Sequence, residues 1–374
     1  MILGIVQRNV YIKRGDVIER KVLMKYLIYA DPHICQYSSI VRSRGERYST
    51  RLEQCVASIN WVQRQAEYYG CDEIICLGDF FDSSELDSET ITAISDIEWS
   101  TIPNRFLVGN HEIGKATNEQ SSAHIFKMVD NAYVYDGVHT VYYPTKDIEL
   151  VFLPYTLNID KNLNQYIGED KLEGYKRIIF SHNDIAGINL GKYVTETGFK
   201  IDDIEANCDL FINGHLHNGT KITSKIVNIG NLTGQNFGED ADIYEHCAYI
   251  LDTSDMSMRK LVNPYALNFY KMDVTSMSIS DILTRFEKLK FNSVVTVRCL
   301  DSQFEDVKRI IQGTANIIES RIITEYVYNE EQIKSDVDIA KCDHLKELYD
   351  YILSVDFDDV PFEELKEELE LICR

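Results

Sequence analysis

Between residues 24 and 265, short apolar runs alternate with stretches whose apolar residues recur every three or four positions, as strands separated by helices do. The runs stop at Asp31, at Leu77 before Gly78, at Val108 before Gly109, at Phe180 before Ser181 and at Asn213 before Gly214. Between the first two, Leu52, Val56, Ile59, Val62 and Ala66 share one helical face. Further runs at 149–154, 225–230, 246–252 and 258–262 make the later part strand-rich and predict a second sheet packed against the first. In open α/β sheets, the loops just past the strands' C-terminal ends collect the functional groups.

The pattern then changes. Residues 266–329 predict a strand at 269–274, a helix at 278–290 starting near Ser278 or Ser280, a strand at 293–300, a helix at 303–311 and a strand at 317–327. A β-α-β-α-β run of this size is a small separate module. From residue 330 two helical faces follow, Leu345, Leu348, Tyr349 and Ile352, then Phe362, Leu365, Leu369 and Ile372. Pro361 suits a first helical turn, with Glu363 and Glu364 at its favourable end. Residues 1–23 mix apolar and charged positions and are expected to be an extension outside the core, or a start assigned too early. The chain thus divides at 1–23, 24–265, 266–329 and 330–374.

Composition alters this picture little. Hydrophobic content of 44% and charged content of 26% are ordinary for a globular protein. No run approaches the roughly 18 apolar residues that span a bilayer, so no membrane contact is expected. The charges before Met24 argue against a secretory signal. Nine cysteines stand singly without a C-x-x-C pair, as in a reduced cytosolic protein, with thiols such as Cys76 and Cys208 packed as small hydrophobes. Charge matters more. The net charge is −22, of which residues 330–374 carry −10 and residues 1–329 carry −12. A polyanionic substrate would have to be held by local basic groups, by cations or by a partner.

Five motifs sit where the strands should end: Asp31-Pro32-His33, Gly78-Asp79-Phe80-Phe81-Asp82, Gly109-Asn110-His111-Glu112, Ser181-His182 and Gly214-His215-Leu216-His217. Asp-x-His and Gly-Asp-x-x-Asp are common strand ends when taken alone. Gly-Asn-His-Glu and Gly-His-x-His after apolar strands are rarer, because burying such groups unpaired costs a few kcal/mol each. Carboxylates and neutral imidazoles suit Mn²⁺, Fe²⁺ or Zn²⁺, and no cysteine stands among them. One cation would take Asp31, His33 and His217, and a second Asn110, His182 and His215, with Asp79 bridging them roughly 3.5–4 Å apart. Such a pair acidifies water and clamps phosphoryl oxygens, which predicts phosphate-ester hydrolysis centred on Asp79. His111, next to Asn110, is the expected acid for the departing oxygen. Asp82 and Glu112 are candidates for orienting the imidazoles, and Gly78, Gly109 and Gly214 for permitting tight turns. His124, His139, His246 and His344 fall outside every motif and are expected to be structural or surface residues.

These motifs resemble those of the calcineurin-like metallophosphoesterases, and within them those of the SbcD-type DNA repair nucleases and their phage counterpart, the recombination endonuclease subunit. Residues 227–239 are similar to the family's glycine-containing turn followed by a phenylalanine and an acidic residue, here Phe237 and Glu239. The module at 266–329 resembles its DNA-binding capping domain, and the acidic tail the segment that docks on an SbcC-type coiled-coil ATPase. Asp82 stands where archaeal and eukaryotic relatives often have histidine and the bacterial form has aspartate. Ser181 replaces a more usual glycine, and Pro32 a large aromatic sometimes found between the first two ligands; neither change removes a ligand.

The resemblance implies an α/β, four-layer metallophosphoesterase fold, two mixed β-sheets flanked by helices, with a small α+β capping domain and a helical C-terminal tail. It implies two divalent ions, Mn²⁺ by preference, with exonuclease and endonuclease activity on DNA in recombination, repair or replication. A homodimer, an SbcC-type partner and the cytoplasm of a bacterial or phage-infected cell follow from the same likeness. Arg42, Arg44, Arg47 and Arg51, just past the first motif, are expected to contact backbone phosphates at the mouth of the site, a solvated loop being the alternative. A small-molecule phosphodiesterase or protein phosphatase would share the metals without needing the module at 266–329. A non-catalytic scaffold is disfavoured, because every ligand and His111 are present.

Overall fold

The computed structural model describes residues 9–14, 17–22, 24–36, 45 and 47–325, apart from 115–116, 145–146, 158, 160–161, 169, 189–193 and 240. The expected tail at 330–374, with Arg42 and Arg44, lies outside the described residues. Asn9–Arg14 and Val17–Val22 pair as a two-stranded antiparallel sheet.

Lys25–Tyr29 is buried on both faces beyond its first residue, as an unbroken apolar run requires inside a parallel sheet. It pairs in parallel with Glu73–Cys76, which is followed by Asn104–Leu107 and Ala132–Tyr135. On its other side Cys247–Asp252 runs antiparallel, with Ser257–Val262 beyond it. The second sheet repeats the plan: Ile148–Leu153, Lys176–Ser181, Leu210–Asn213 and Ile226–Asn228 are parallel, with His139–Tyr143 and Thr220–Lys221 antiparallel at its edges.

One expectation is corrected here. Of the four late runs assigned to the second sheet, only the first two join it. Cys247–Asp252 and Ser257–Val262 pair beside Lys25–Tyr29 in the first sheet instead. Apolar patterning shows that a strand is buried, but not which edge its backbone hydrogen-bonds, because both sheets offer apolar faces.

Between the sheets, Tyr26, Ile28, Ile75 and Leu77 meet Leu150, Phe152, Ile178 and Phe180. Outside the first sheet, the helix Thr50–Tyr69 lays Leu52, Cys55, Ile59, Val62 and Ala66 over Leu27, Tyr29, Ile74 and Phe106. Ser49 starts this helix by accepting from the Leu52 N–H, and Gly70 ends it in the left-handed conformation. Truncating a residue such as Ile59 to alanine would cost about 2–5 kcal/mol. Outside the second sheet, Leu163, Ile167 and Ile204 cover Val151, Ile179 and Phe211. The result is four layers: helix, sheet, sheet, helix. No helix among the described residues is long and apolar enough to cross a membrane.

Residues 268–325 form a β-α-β-α-β unit. Asn268–Asp273, Ser293–Leu300 and Ile317–Glu325 make a parallel sheet, and helices Ile279–Glu287 and Phe304–Gly313 pack on one face through Ile282, Phe286, Val307 and Ile311. Near the start of its first strand the unit touches the body: Phe237 stands edge-on to Phe269 at 5.1 Å, and the Ala241 N–H donates to the Phe269 carbonyl at 3.1 Å.

Candidate metal centre

The loops carrying the five motifs meet where strands of both sheets end. Backbone hydrogen bonds zip the first two together: Asp31 N to Gly78 O and His33 N to Asp79 O, both 3.1 Å, and Ile34 N to Phe80 O, 2.8 Å. The His111 N–H donates to Asp79 Oδ1 at 2.9 Å, and the His215 N–H to Asp31 Oδ2 at 3.0 Å. Asp31, His33, Asp79 and His215 all have left-handed backbones, with φ of 51°, 45°, 47° and 71°. That region costs an L-residue about 1–2 kcal/mol, and the cost persists where surrounding hydrogen bonds over-determine it. Gly78, at φ 111°, has no room for a side chain, because a Cβ would lie 2.4 Å from His182 Nδ1. At Gly109 a Cβ would lie 2.1 Å from Asp79 Oδ1.

Each of the four imidazoles has its outer nitrogen committed to a partner that can only accept, which fixes the tautomer. His33 Nδ1 donates to Asp82 Oδ1 at 2.9 Å, His217 Nδ1 to Glu239 Oε1 at 3.2 Å, His182 Nδ1 to the Leu77 carbonyl at 2.7 Å and His215 Nε2 to Asp184 Oδ1 at 3.2 Å. In the neutral rings the inner nitrogens therefore present lone pairs. His33 Nε2 and His217 Nε2 face each other at 3.2 Å, while His182 Nε2 and His215 Nδ1 converge on Asn110 Oδ1 at 3.1 and 2.9 Å. Asp79 Oδ2 lies 3.2 Å from His182 Nε2 and 3.8 Å from His33 Nε2, between the two sets. Lone pairs aimed at one another repel, and shared cations would resolve both clashes. The donor set fits two divalent ions, one at Asp31, His33 and His217 and one at Asp79, His182 and His215 with Asn110.

The electrostatics show a demand for positive charge at the same place, met by a proton on His182 that a bound cation would replace. Burial holds His33 below the ordinary histidine value. Burial acts the same way on His182, but Asp79 and Asp31 outweigh it and raise this ring to about 9. Burial would raise Asp79, yet His182 first, then His33 and His111, hold it well below the usual carboxylate range. Two buried carboxylates thus call for positive charge where the lone pairs converge.

A family profile described as calcineurin-like phosphoesterase matches residues 24–219, more than half of the 374 residues. The chain belongs to the calcineurin-like phosphoesterases. Solved structures similar to it include a dimetal phosphatase from Danio rerio, at 13% identity over 64% of this chain and 99% of that one, with a TM-score of 0.37. The calcineurin-like phosphoesterase YfkN from Bacillus subtilis matches at 11% identity over 64% of this chain and 88% of that one, with a TM-score of 0.35. No curated protein sequence matches significantly.

Within this phosphoesterase the other expected site residues fall as follows. Asp82 touches His33, as expected of an orienting carboxylate, and lies 3.5 Å from His111 Nδ1. His111 is partly exposed at the rim, and its hydrogen bond to Asp82 raises it to about 9 against burial. Glu112 orients no imidazole. It is fully buried and accepts from the Gly109 N–H at 2.9 Å and the Phe81 N–H at 3.2 Å, so it ties the second and third motif loops together. Burial, then Asp79, push it to about 8 against those donors. The phosphate-contact expectation is corrected for Arg51. Arg51, 3% exposed, turns inward to the carbonyls of Gly234, Pro32 and His33 and to Thr233. Arg47 is exposed but ion-paired with Asp96 at 2.6 Å. A charge at a helix start looks alike in sequence whether it faces solvent or a carbonyl cage.

Several residues that support the site were not singled out. Asp184 accepts from His215, and Glu239, named above only as the end of the family-like turn, accepts from His217. A buried amide ladder links three adjacent strand ends: Asn213 Oδ1 accepts from the Asn183 N–H at 3.1 Å, and its Nδ2 donates to the carbonyls of Asn183 and Gly214 and to Asn228 Oδ1 at 3.2 Å. Asn228 Nδ2 donates in turn to Leu216 O. The available signal was a polar residue, Asn213, closing an apolar run.

Proposed function

We propose that this phosphoesterase is a manganese-dependent DNA nuclease with exonuclease and endonuclease activity. In this reading it works as a homodimer with an SbcC-type coiled-coil ATPase in recombination, repair or replication. The observation that carries the choice of DNA is the placement of the 268–325 unit. It lies beyond the matched family region, and it packs through Phe269 on the segment whose Glu239 supports a ligand histidine. A catalytic body acting on a small diester has no need of such an attachment.

Asp31, His33 and His217, and Asn110, His182 and His215, together with Asp79, would hold two cations, which would supply charge to polarise a phosphoryl oxygen and to acidify water. The chain's own residues do the rest. Asp82, Glu239, Asp184 and the Leu77 carbonyl keep the four rings aimed inward, and Glu112 fixes the loop that carries Asn110 and His111. His111, held protonated by Asp82 at the open rim, donates to the departing oxygen. Arg42 and Arg44 contact the DNA backbone.

The test is the purified protein with Mn²⁺ on circular single strands, linear duplex, cyclic nucleotides and a phosphopeptide. DNA cleavage abolished in His111→Ala and well above turnover of the other substrates is expected. Turnover of cyclic nucleotides or phosphopeptide with intact DNA would overturn the reading in favour of a phosphodiesterase or phosphatase.

A further inference from the structure

Behind the first half of the centre, residues 231–239 and 241–242 form a strap from a ligand to the C-terminal unit. At the ligand end, the Asn231 N–H donates to the His217 carbonyl at 3.0 Å. Glu239, 4% exposed, takes His217 Nδ1–H and Asn231 Nδ2 on Oε1 at 3.2 and 2.7 Å, and the Gln235 N–H on Oε2 at 2.9 Å. Arg51 fastens the middle through the Gly234 carbonyl at 2.6 Å and reaches the Pro32 and His33 carbonyls at 3.3 and 3.4 Å. A Cβ at Gly234 would lie 2.0 Å from the carbonyl of Leu267, which leads into the unit's first strand.

At the far end the strap belongs to the C-terminal unit. Phe237 packs on Phe269, the Ala241 N–H pairs with the Phe269 carbonyl, Lys290 Nζ donates to the Ala241 carbonyl at 2.9 Å, and Arg285 pairs with Asp242. Glu239 thus sits midway between two residues, Phe237 and Ala241, whose contacts are with the unit. A displacement of the unit must carry Glu239 with it, and a hydrogen bond weakens steeply as its length and angle depart from the optimum. The other half has a different footing. His182 leans on the Leu77 carbonyl and His215 on Asp184, both within the body.

We propose that Glu239 is a positioning residue for His217, and that the C-terminal unit sets its placement through the strap. Seating of that unit therefore governs the affinity of the cation held by Asp31, His33 and His217, and leaves the other cation alone. The inference rests on the family's two-cation chemistry and holds whether the substrate is DNA or another diester.

Mn²⁺ titration calorimetry on the full chain, with electron paramagnetic resonance of the coupled ion pair, reads both ions without turnover. Wild-type protein should show two ions. Glu239→Ala should weaken one of them by about 10–100-fold, the usual cost of losing such a partner. Glu239→Gln, whose amide oxygen still accepts from Nδ1, should restore most of the loss. Phe237→Ala and Arg285→Ala leave every donor atom in place, and should weaken the same ion by roughly three- to tenfold. Asp184→Ala should weaken the other ion. Unchanged affinities in both Phe237→Ala and Arg285→Ala would overturn the coupling, as would equal weakening of both ions. Should Glu239→Ala fail to fold, those two variants decide alone. Failure of DNA cleavage in the earlier assay leaves these affinities untouched, so the two readings fail separately.

Discussion

His33 and His217 lean on Asp82 and Glu239, carboxylates carried by loops, whereas His182 leans on the Leu77 carbonyl at the end of a first-sheet strand. His215, its neighbour, follows directly on the strand that bears the Asn183–Asn213–Asn228 ladder. The two halves offer similar donor chemistry to a cation but differ in what must move to disturb them. The second half, apart from Asp184, is fixed by groups that also close the strand ends, so damage to those groups should appear as lost stability. The first half is fixed by side chains over loops, so damage there should appear as lost cation affinity.

The largest effect should come from the residue that belongs to both halves. Asp79→Asn should lower phosphodiester hydrolysis by about a thousandfold or more, equivalent to roughly 4 kcal/mol of barrier, and abolish the paired-ion resonance. A variant that keeps its rate removes the basis for comparing the halves at all. Gly109→Ala acts on the same carboxylate without removing a donor. Its Cβ would crowd Asp79 Oδ1, and a displacement of that size should cost on the order of 100-fold in rate while circular dichroism stays native.

Asn213→Ala addresses the second half. It leaves the Asn183 N–H and three carbonyl or amide groups without their partner, and should lower unfolding free energy by about 1–3 kcal/mol in a denaturant titration. Asp82→Ala, in the first half, should change stability far less and Mn²⁺ affinity more. The reverse pattern would break the contrast. A smaller effect concerns His246, whose Nδ1 lies 2.7 Å from Asn231 Oδ1 behind Glu239. Burial holds it down to about 4, so the folded chain keeps it neutral where the unfolded chain, near the ordinary value of about 6.5, takes a proton. Its contribution is complete above the unfolded value and is lost as pH falls towards 4. A step from about pH 6 to pH 5 should cost roughly 1 kcal/mol, measured by denaturation, and His246→Asn should flatten that step.

Much of this was readable in the residues themselves. The strand ends at Asp31, Gly78, Gly109, Ser181 and Gly214 lie within two residues of the observed ones, because an unbroken apolar run followed by glycine and a polar side chain has few other meanings in a parallel sheet. The strand 293–300 is seen at those bounds, and the helix expected at 278–290 spans Ile279–Glu287. What stayed hidden depends on pairing rather than on pattern. The sheet that Cys247–Asp252 joins, the inward turn of Arg51 and the reach of Glu112 to two backbone amides are each decided by hydrogen bonds between residues far apart in sequence. Asp184 illustrates the same limit: two positions past His182, it differs in no local respect from a solvated carboxylate until His215 arrives from another strand.

The left-handed backbones at Asp31, His33, Asp79 and His215 restrict more than geometry. Among residues with a Cβ, aspartate, asparagine and histidine are those most often found in that region, and two of these types are what the cations require there. Conformational tolerance and Lewis basicity therefore select from one short alphabet. Replacing these donors by glutamate or cysteine, however sound on coordination grounds, would oppose the turn itself, so the choice of metal cannot drift independently of the path of the chain.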